Sequence, residues 1–387
     1  MNYRINPKNN DRLSILGFGC MRFPKDKKEV EHQIISAIEK GVNYFDTAYI
    51  YPNSEATLGS VLAKGYRKRV KLATKLPQFL VKKYEDLDMI FNTQLERLQT
   101  DYIDYYLIHL LTDLNIWHRL VNLGILEWIA AKKQQGQIIN IGFSYHGGKD
   151  EFVKIIDAYD WEFCMIQYNY LDENNQAGKS GLQYAAGKGI PVMVMEPLRG
   201  GKLVTNLPKE VYEVWDQAYV KRSPAEWALR WVWNHPEVLV VLSGMNTQAM
   251  IDENIRVASK AEANSFTEAD LVLFEQVRNI LSQKIKVPCT GCNYCMPCPK
   301  GVDIPTCFSC YNDREIDGKI AALSHYIMQT SFKTNAHNAS LCSKCGKCES
   351  HCPQGIKIRD ELTKVAKVME GIYYKPLRFF IKWFMKL

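Results

Sequence analysis

The chain has 387 residues, of which 47% are hydrophobic and 24% are charged, which excludes a small single module and a globally disordered protein. No run of about 18 apolar residues is present, which excludes a conventional transmembrane helix. The start, MNYRINPKNNDRLS, lacks the apolar core of a signal peptide, so we expect a cytoplasmic protein. The net charge is 49 − 42 = +7 without a nucleic-acid-binding motif, so we expect no nucleic-acid partner.

Short β-branched runs alternate with amphipathic stretches as far as residue 284. The runs that we predict as strands are 15–19, 43–47, 70–75, 103–109, 138–144, 163–169, 191–197 and 238–244. Residues 84–98 have the apolar spacing of a helix, and Ser223-Pro224 predicts the start of another. About eight strand–helix units favour an α/β fold, a closed (β/α)8 TIM barrel. An open doubly wound sheet is the alternative, disfavoured because no G-x-G-x-x-G follows the first strand.

Four residues with complementary acid–base chemistry lie at or just beyond predicted strand ends. Asp46 follows NYF, Tyr51 comes five residues later, Lys75 ends VKLATK, and His109 ends IDYYLIH. A phenol is a poor acid at its ordinary pKa of about 10, and a neighbouring ammonium stabilises its phenolate. A buried lysine in turn needs a carboxylate, and a histidine can orient a carbonyl oxygen. Each residue alone fits a structural role, but the four together predict a catalytic acid.

The stretch GVNYFDTAYIYPNSEATLG, followed by LATK and DYYLIH, resembles the aldo/keto reductase superfamily over about residues 1–260. The resemblance implies a TIM barrel whose catalytic Tyr, Asp, Lys and His are Tyr51, Asp46, Lys75 and His109. It also implies NADP(H) or NAD(H) as cofactor and a small carbonyl or alcohol as substrate. By motif position, the cofactor-binding residues would be Ser144, Gln167, Glu196, Pro197, Leu198, Arg199, Gly201, Ser243, Gly244, Met245, Gln248, Glu253 and Asn254.

Two positions depart from the family pattern. Met195 stands where the family places an aromatic residue that stacks on the nicotinamide, and Tyr145 stands where it commonly has an asparagine. Methionine is a soft, adaptable side chain, so a nicotinamide still fits. The usual basic residues for a 2′-phosphate are not evident, although Arg256 is close in sequence.

Ten of the twelve cysteines fall between Cys289 and Cys352, and eight of these form two runs that each end in Cys-Pro. Reduced thiols at two-residue spacing are typical of metal sites, and the repeated pattern favours 4Fe–4S clusters over zinc. The segment resembles ferredoxin-type two-cluster domains. We assign one cluster to Cys289, Cys292, Cys295 and Cys352, and the other to Cys298, Cys342, Cys345 and Cys348.

The spacing leaves one ligand of the second cluster open. Cys298 comes one residue earlier than in the bacterial pattern, and Cys307 or Cys310 could replace it. We favour the interpretation that Cys307 and Cys310 are buried thiols. The long segment between the two runs contains DGKIAALSHYIMQ, which predicts a mainly helical ferredoxin-like domain. The expected domains are a barrel over 1–284, an iron–sulfur domain over 285–371, and a basic aromatic tail over 372–387.

The two halves carry different redox chemistry, because nicotinamides transfer hydride and iron–sulfur clusters transfer single electrons. Three hypotheses follow. The first is an NAD(P)H-dependent carbonyl reductase or alcohol dehydrogenase with structural clusters or clusters that serve a redox partner protein. The second places a flavin such as FMN in the barrel, between clusters and substrate. The third is an electron-transfer subunit whose barrel is a scaffold, which the intact tetrad disfavours.

The tail IYYKPLRFFIKWFMKL combines aromatic residues with basic ones. If residues 377–387 form a helix, Arg378, Lys382 and Lys386 lie along one stripe, and apolar residues cover the rest. This pattern suits peripheral membrane association or docking to a partner. A terminal helix packed on its own cysteine-rich domain is the equally favoured alternative.

Overall fold

The structure is a computed structural model that describes residues 1–315, 318–331 and 336–384. Eight parallel strands, β3 to β10, close into a barrel in which each strand lies next to its predecessor and β10 pairs with β3. Their bounds are β3 (Leu16–Gly19), β4 (Tyr44–Asp46), β5 (Lys71–Pro77), β6 (Ile103–Leu111), β7 (Ile138–Tyr145), β8 (Phe163–Gln167), β9 (Val192–Met195) and β10 (Val238–Ser243). The predicted TIM barrel and its eight strands are confirmed.

A short hairpin precedes the barrel. Strands β1 (Tyr3–Ile5) and β2 (Arg12–Ser14) pair antiparallel, and sequence analysis did not predict them. Arg4 extends from β1 and donates hydrogen bonds to the backbone oxygens of Trp233 (2.6 Å) and His235 (2.9 Å). The hairpin is therefore tied to the segment that leads into the last barrel strand.

The helices between the strands follow the predicted amphipathic stretches. Their bounds are α1 (Lys27–Glu39), α2 (Ser54–Leu62), α3 (Glu85–Leu98), α4 (Leu114–Asn122), α5 (Ile125–Gln134), α6 (Lys149–Asp157), α7 (Gly178–Gly187), α8 (Lys209–Trp215), α9 (Pro224–Trp233) and α10 (Gln248–Ala258). Ser223 caps α9 as predicted, since its hydroxyl accepts a hydrogen bond from the Glu226 amide at 3.1 Å. The barrel interior is filled by large side chains that include Tyr44, Tyr105, Phe163 and Met165.

The chain divides into two compact units. The first comprises Met1–Leu198 and Arg222–Thr267, and the second comprises Arg199–Lys221 and the described chain from Glu268 onward. The second unit contains α8 together with α11 (Glu268–Lys284), α12 (Ile304–Asp313), α13 (Lys319–Ser331), α14 (Ile358–Met369) and α15 (Tyr374–Phe384). Its mainly helical character is confirmed. The domain limits at residues 284 and 371 stay a prediction.

The core of the second unit is formed by α12, α13 and α14, with α15 against it. Phe308, Tyr326 and Val365 are fully buried there, and several cluster cysteines pack on the same core. Helix α15 covers part of that core with Tyr374, Leu377 and Ile381. Phe379 is 75% exposed and Phe380 57% exposed, so the helix also presents an aromatic surface to solvent.

The tail prediction reaches beyond the described chain. Residues 385–387, including Lys386 of the predicted basic stripe, lie outside the described residues. None of the helices in the described part of the chain has the length and apolarity that crossing a bilayer requires.

Candidate active site and cluster sites

The four predicted catalytic residues come from three adjacent strands and the segment after the first of them. Asp46 is the last residue of β4, Lys75 lies in β5, and His109 lies in β6. Strand register pairs Pro77 with His109 and Asp46 with Ala73, which places these side chains toward the same end of the barrel. Tyr51 follows β4, and its amide donates to the Ala48 oxygen at 3.0 Å.

Lys75 is held in a fixed position. Its Nζ donates to Oδ1 of Asp46 at 2.5 Å and to the backbone oxygen of Thr47 at 2.7 Å. Lys75 and Asp46 are 1% and 4% exposed, so water screens this ion pair weakly. Burial raises the pKa of the Asp46 carboxyl, and the neighbouring ammonium opposes that rise.

The tyrosine ring lies between the ammonium and an imidazole. Lys75 Nζ is 5.2 Å from the centroid of the Tyr51 ring, and the Tyr51 and His109 rings are 6.1 Å apart in an edge-on arrangement. Burial lowers the pKa of His109 well below its ordinary value, and the charges of Lys75 and His146 lower it further. His109 is therefore a neutral imidazole at physiological pH. The structure thus brings together a phenol, a buried ammonium and a neutral imidazole.

His146 was not assigned a role by sequence analysis, yet it lies in this neighbourhood. Its amide donates to the Leu111 oxygen at 3.0 Å, directly after β7. Burial lowers the pKa of His146 to about 4, a hydrogen bond with Gln176 opposes the shift, and the Lys75 charge adds to it. The next residue must be Gly147, because a Cβ there would lie 1.9 Å from the Thr112 oxygen. This close approach fixes the loop that carries His146.

The predicted carboxamide-binding residues end the next two strands. Ser144 of β7 accepts a hydrogen bond from the Leu110 amide at 3.0 Å. Gln167 ends β8, donates to Asp172 at 3.0 Å and accepts from Gln176 at 2.5 Å. A hydroxyl can donate and accept hydrogen bonds, and a primary amide offers two N–H groups and a carbonyl oxygen, so both side-chain types suit an amide ligand. Both are oriented by protein partners before any ligand binds.

The residues predicted for the pyrophosphate follow β9 in the chain. Glu196, Pro197 and Leu198 follow β9 in the first unit, and the Glu196 backbone oxygen accepts from Asn169 at 3.2 Å. Arg199 and Gly201 belong to the second unit, and Arg199 is 2% exposed. Met195 ends β9, where the family has its aromatic residue.

The predicted adenosine-end residues lie after β10, around the start of α10. Ser243 ends β10 and accepts from Asn254 at 3.0 Å, which joins the strand end to the helix. Glu253 accepts from the Ser223 hydroxyl at 2.5 Å, and Gln248 donates to Ser36 at 3.0 Å. Met245 is buried, and Gly244 precedes it. Arg256 pairs with Glu226 at 3.5 Å.

Four of the cysteines predicted as cluster ligands lie around one cavity. Cys289, Cys292, Cys295 and Cys352 line this cavity, whose other walls include Ile304, Phe308, Ile356 and Ile358. Four thiols facing an apolar cavity fit a 4Fe–4S cluster, since a hydrophobic shell limits the access of water.

The second group includes the uncertain ligand. Burial raises the pKa of Cys348 to about 11, and charge on Cys342 and on Cys298 adds to the rise, which places these three sulfurs near one another. Cys345 is exposed in the same loop. Cys307 and Cys310 are buried in α12, where the Cys307 sulfur lies 4.0 Å from the Tyr326 hydroxyl and 3.8 Å from the His337 oxygen.

The backbone turns sharply between the cysteines of both loops. Gly291, Asn293, Lys344 and Gly346 all have positive φ, between 58° and 80°. These left-handed residues turn the chain sharply between cysteines, so amides point inward. The amides of Gly291 and Lys344 donate to the sulfurs of Cys289 and Cys342, each at 3.4 Å.

Comparison with known proteins agrees with this architecture. Residues 15–271 match the aldo/keto reductase family, and residues 288–356 match the 4Fe-4S dicluster domain. The chain belongs to the aldo/keto reductase family. It is an oxidoreductase that also carries a 4Fe–4S dicluster domain.

Known relatives of this aldo/keto reductase share about a quarter of its sequence over the matched residues. An aldo-keto reductase of Mycobacterium avium is 26% identical over 64% of this chain and 81% of the relative. A protein named glyoxal reductase of Bacillus subtilis is 26% identical over 60% of this chain and 79% of its own. The holo form of an aldo-keto reductase from Bacillus halodurans superposes with a TM-score of 0.60 at 24% identity, covering 72% of this chain and 96% of that one. This last likeness shows the fold.

Proposed function

We propose that the protein reduces a small carbonyl compound, or oxidises the corresponding alcohol, with NAD(P)H bound in the barrel and Tyr51 as the general acid–base. The observation that carries the proposal is the buried Lys75–Asp46 ion pair beside the Tyr51 ring. A bound nicotinamide supplies hydride to the carbonyl carbon. The chain must then supply the proton for the oxygen and fix the geometry of the substrate.

Tyr51, Lys75, Asp46 and His109 would together supply the proton and position the carbonyl oxygen. Tyr51 donates its phenolic proton to the carbonyl oxygen as negative charge develops there. Lys75 stabilises the resulting phenolate electrostatically, and Asp46 keeps the ammonium in place. His109, which is neutral, donates a hydrogen bond to the carbonyl oxygen without competing as a second cation.

Ser144 and Gln167 would hold the carboxamide, because both are oriented by neighbouring groups and both side-chain types can donate and accept hydrogen bonds. The Glu196–Leu198 segment, Arg199 and Gly201 would bind the pyrophosphate, and the residues around Ser243 and α10 would border the adenosine. Cys289, Cys292, Cys295 and Cys352 would hold one 4Fe–4S cluster, and Cys298, Cys342, Cys345 and Cys348 the other. The clusters would transfer single electrons to or from a partner protein, or serve a structural role.

The test uses the full-length protein purified without oxygen. NADPH consumption is followed with glyoxal as the probe substrate, because one relative is named glyoxal reductase. We expect Tyr51→Phe to abolish turnover and Tyr49→Phe, a tyrosine two residues earlier, to retain it. Direct binding of NADPH and NADH by calorimetry provides a readout that does not depend on the choice of substrate. Full turnover by Tyr51→Phe would refute the assigned acid.

A flavin-mediated reductase is the second candidate, and Met195 favours it because this position lacks the aromatic residue that stacks on a nicotinamide in the family. The visible spectrum of the purified protein distinguishes the two. Flavin absorbance above the broad cluster absorption, together with no binding of NADPH, would support the second candidate and overturn the first.

A further inference from the structure

A group of three potential metal ligands lies in the second unit, outside the cysteines assigned to clusters. Cys310 and Asp313 lie three residues apart on α12, and His325 lies on α13. One ligand atom from each residue lies within 4.8 Å of the other two. The Cys310 sulfur and Nδ1 of His325 are 3.9 Å apart.

The separation of the Cys310 sulfur and the His325 nitrogen is close to that between two ligand atoms of a tetrahedral zinc ion. Zinc–sulfur and zinc–nitrogen bonds of about 2.3 and 2.0 Å put neighbouring ligand atoms about 3.6 Å apart. The observed separation of Cys310 and His325 needs a contraction of only a few tenths of an ångström. Cys310 and Asp313 are buried, whereas His325 is exposed, so an ion at this point would be open to solvent on one side.

The three donor atoms also indicate which metal ion the site would bind. A thiolate, an imidazole and a carboxylate together match the borderline preference of zinc, whereas calcium and magnesium require oxygen ligands. The thiolate and the carboxylate carry two negative charges, which a divalent ion neutralises. We propose that Cys310, Asp313 and His325 bind one zinc ion, with three protein ligands and a fourth position open to water.

Neighbouring groups orient the carboxylate. The Lys202 ammonium donates to the Ser309 hydroxyl oxygen at 2.5 Å, and that hydroxyl donates to Oδ2 of Asp313 at 3.4 Å. This chain of hydrogen bonds fixes the direction of the serine proton and orients the carboxylate. The site itself is neutral when zinc is bound, so the ammonium beyond Ser309 does not have to be displaced.

The other cysteine of the same helix provides a contrast. Cys307 lies one turn earlier, and its sulfur lies near the Tyr326 hydroxyl and the His337 carbonyl oxygen instead of an imidazole nitrogen or a carboxylate. The C-x2-C pair is therefore divided, with Cys310 in the zinc site and Cys307 in the core. A zinc ion would join α12 to α13, which are consecutive helices of the cluster-bearing unit.

The experiment measures zinc in the full-length protein with its clusters in place. Protein containing about eight irons per chain, as two 4Fe–4S clusters require, is equilibrated with excess zinc, passed through a desalting column, and analysed for both metals. We expect one zinc per chain, lost in Cys310→Ser and in His325→Gln and retained in Cys307→Ser and in His118→Gln. X-ray absorption at the zinc edge should show one sulfur and two or three nitrogen or oxygen ligands.

Each alternative result is decisive. Wild-type protein that retains no zinc would overturn the proposal, as would zinc that persists at full stoichiometry in both ligand variants. Zinc surrounded by four sulfurs would place it in the cluster sites and overturn the proposal as well. His325 is exposed, so His325→Gln is not expected to disturb folding, and an unchanged iron content confirms that this variant is intact.

Discussion

The strongest test of the catalytic proposal removes the charge of Lys75. The ammonium lies 5.2 Å from the Tyr51 ring centroid. Two unit charges about 5 Å apart interact by about 3 kcal/mol at an effective dielectric constant of about 20, and an interaction of that size changes the pKa of a phenol by about two. Lys75→Met should therefore slow carbonyl reduction by about 200-fold if the phenolate is fully charged in the transition state. If it is half charged, the loss should be about 15-fold.

Stability must be separated from chemistry in this test. Removing one partner of a buried ion pair leaves Asp46 uncompensated and costs about 3–5 kcal/mol of folding free energy. The matched control is the double variant Lys75→Met/Asp46→Asn, which removes both charges. We expect the double variant to be more stable than Lys75→Met while its kcat/KM is equally reduced.

The assay is kcat/KM as a function of pH, with thermal unfolding measured on the same preparations. The limb of the kcat/KM profile that reports ionisation of Tyr51 should shift to higher pH, by about two pH units, in both variants. A Lys75→Met enzyme whose kcat/KM and pH profile stay within twofold of wild type would refute the argument that the ammonium makes the phenol acidic.

Three further outcomes are expected. Cys352→Ser should lower iron from about eight to about four per chain, because this thiol lines the first cavity with Cys289, Cys292 and Cys295; unchanged iron would refute the ligand set. His146→Gln should reduce the loss of folding free energy at acidic pH. The pKa of His146 in the folded protein is about 4, so below pH 6.5 the unfolded chain binds a proton that the folded chain does not. Wild type should therefore lose about 3 kcal/mol of stability as the pH falls from 6.5 towards 4, and the variant should lose less. Tryptophan fluorescence during urea unfolding measures this, with exposed His118→Gln as control, and equal slopes for wild type and His146→Gln would contradict it. Phe379→Ser/Phe380→Ser should abolish flotation with anionic liposomes if the exposed aromatic surface of α15 binds lipid; equal flotation of variant and wild type would dismiss that role.

The sequence was most informative where side-chain pattern and strand geometry coincide. The eight barrel strands were predictable because β-branched runs of suitable length alternate with helical spacing, and parallel strands bring their carboxyl ends to one face. That rule alone placed Asp46, Lys75 and His109 near one another. The β1–β2 hairpin was missed because strands of three residues are too short to show a period of two.

Contacts made by irregular segments could not be predicted in the same way. Gln176 precedes α7, and its hydrogen bond to Gln167 depends on the path of the intervening loop, which no periodicity specifies. The pairing of Cys310 with His325 likewise depends on how α12 packs against α13. The family pattern drew attention to Tyr145 and passed over His146, whose burial beside Lys75 becomes evident only in three dimensions.

The predicted pyrophosphate loop also has a part in the electrostatics of the first cluster site. Burial raises the pKa of Cys289, and the charges of Lys202 and Arg199 act against the rise, so both cations lie near this thiol in the second unit. Lys202 contacts Ser309, and Glu210 pairs with Lys284 at 2.6 Å, so residues 199–221 are built into the unit that carries the cysteines. A positive charge that stabilises the Cys289 thiolate would also favour a more negative charge on a cluster bound there, so residues 199–221 contribute to the electrostatics of the unit that carries the cysteines.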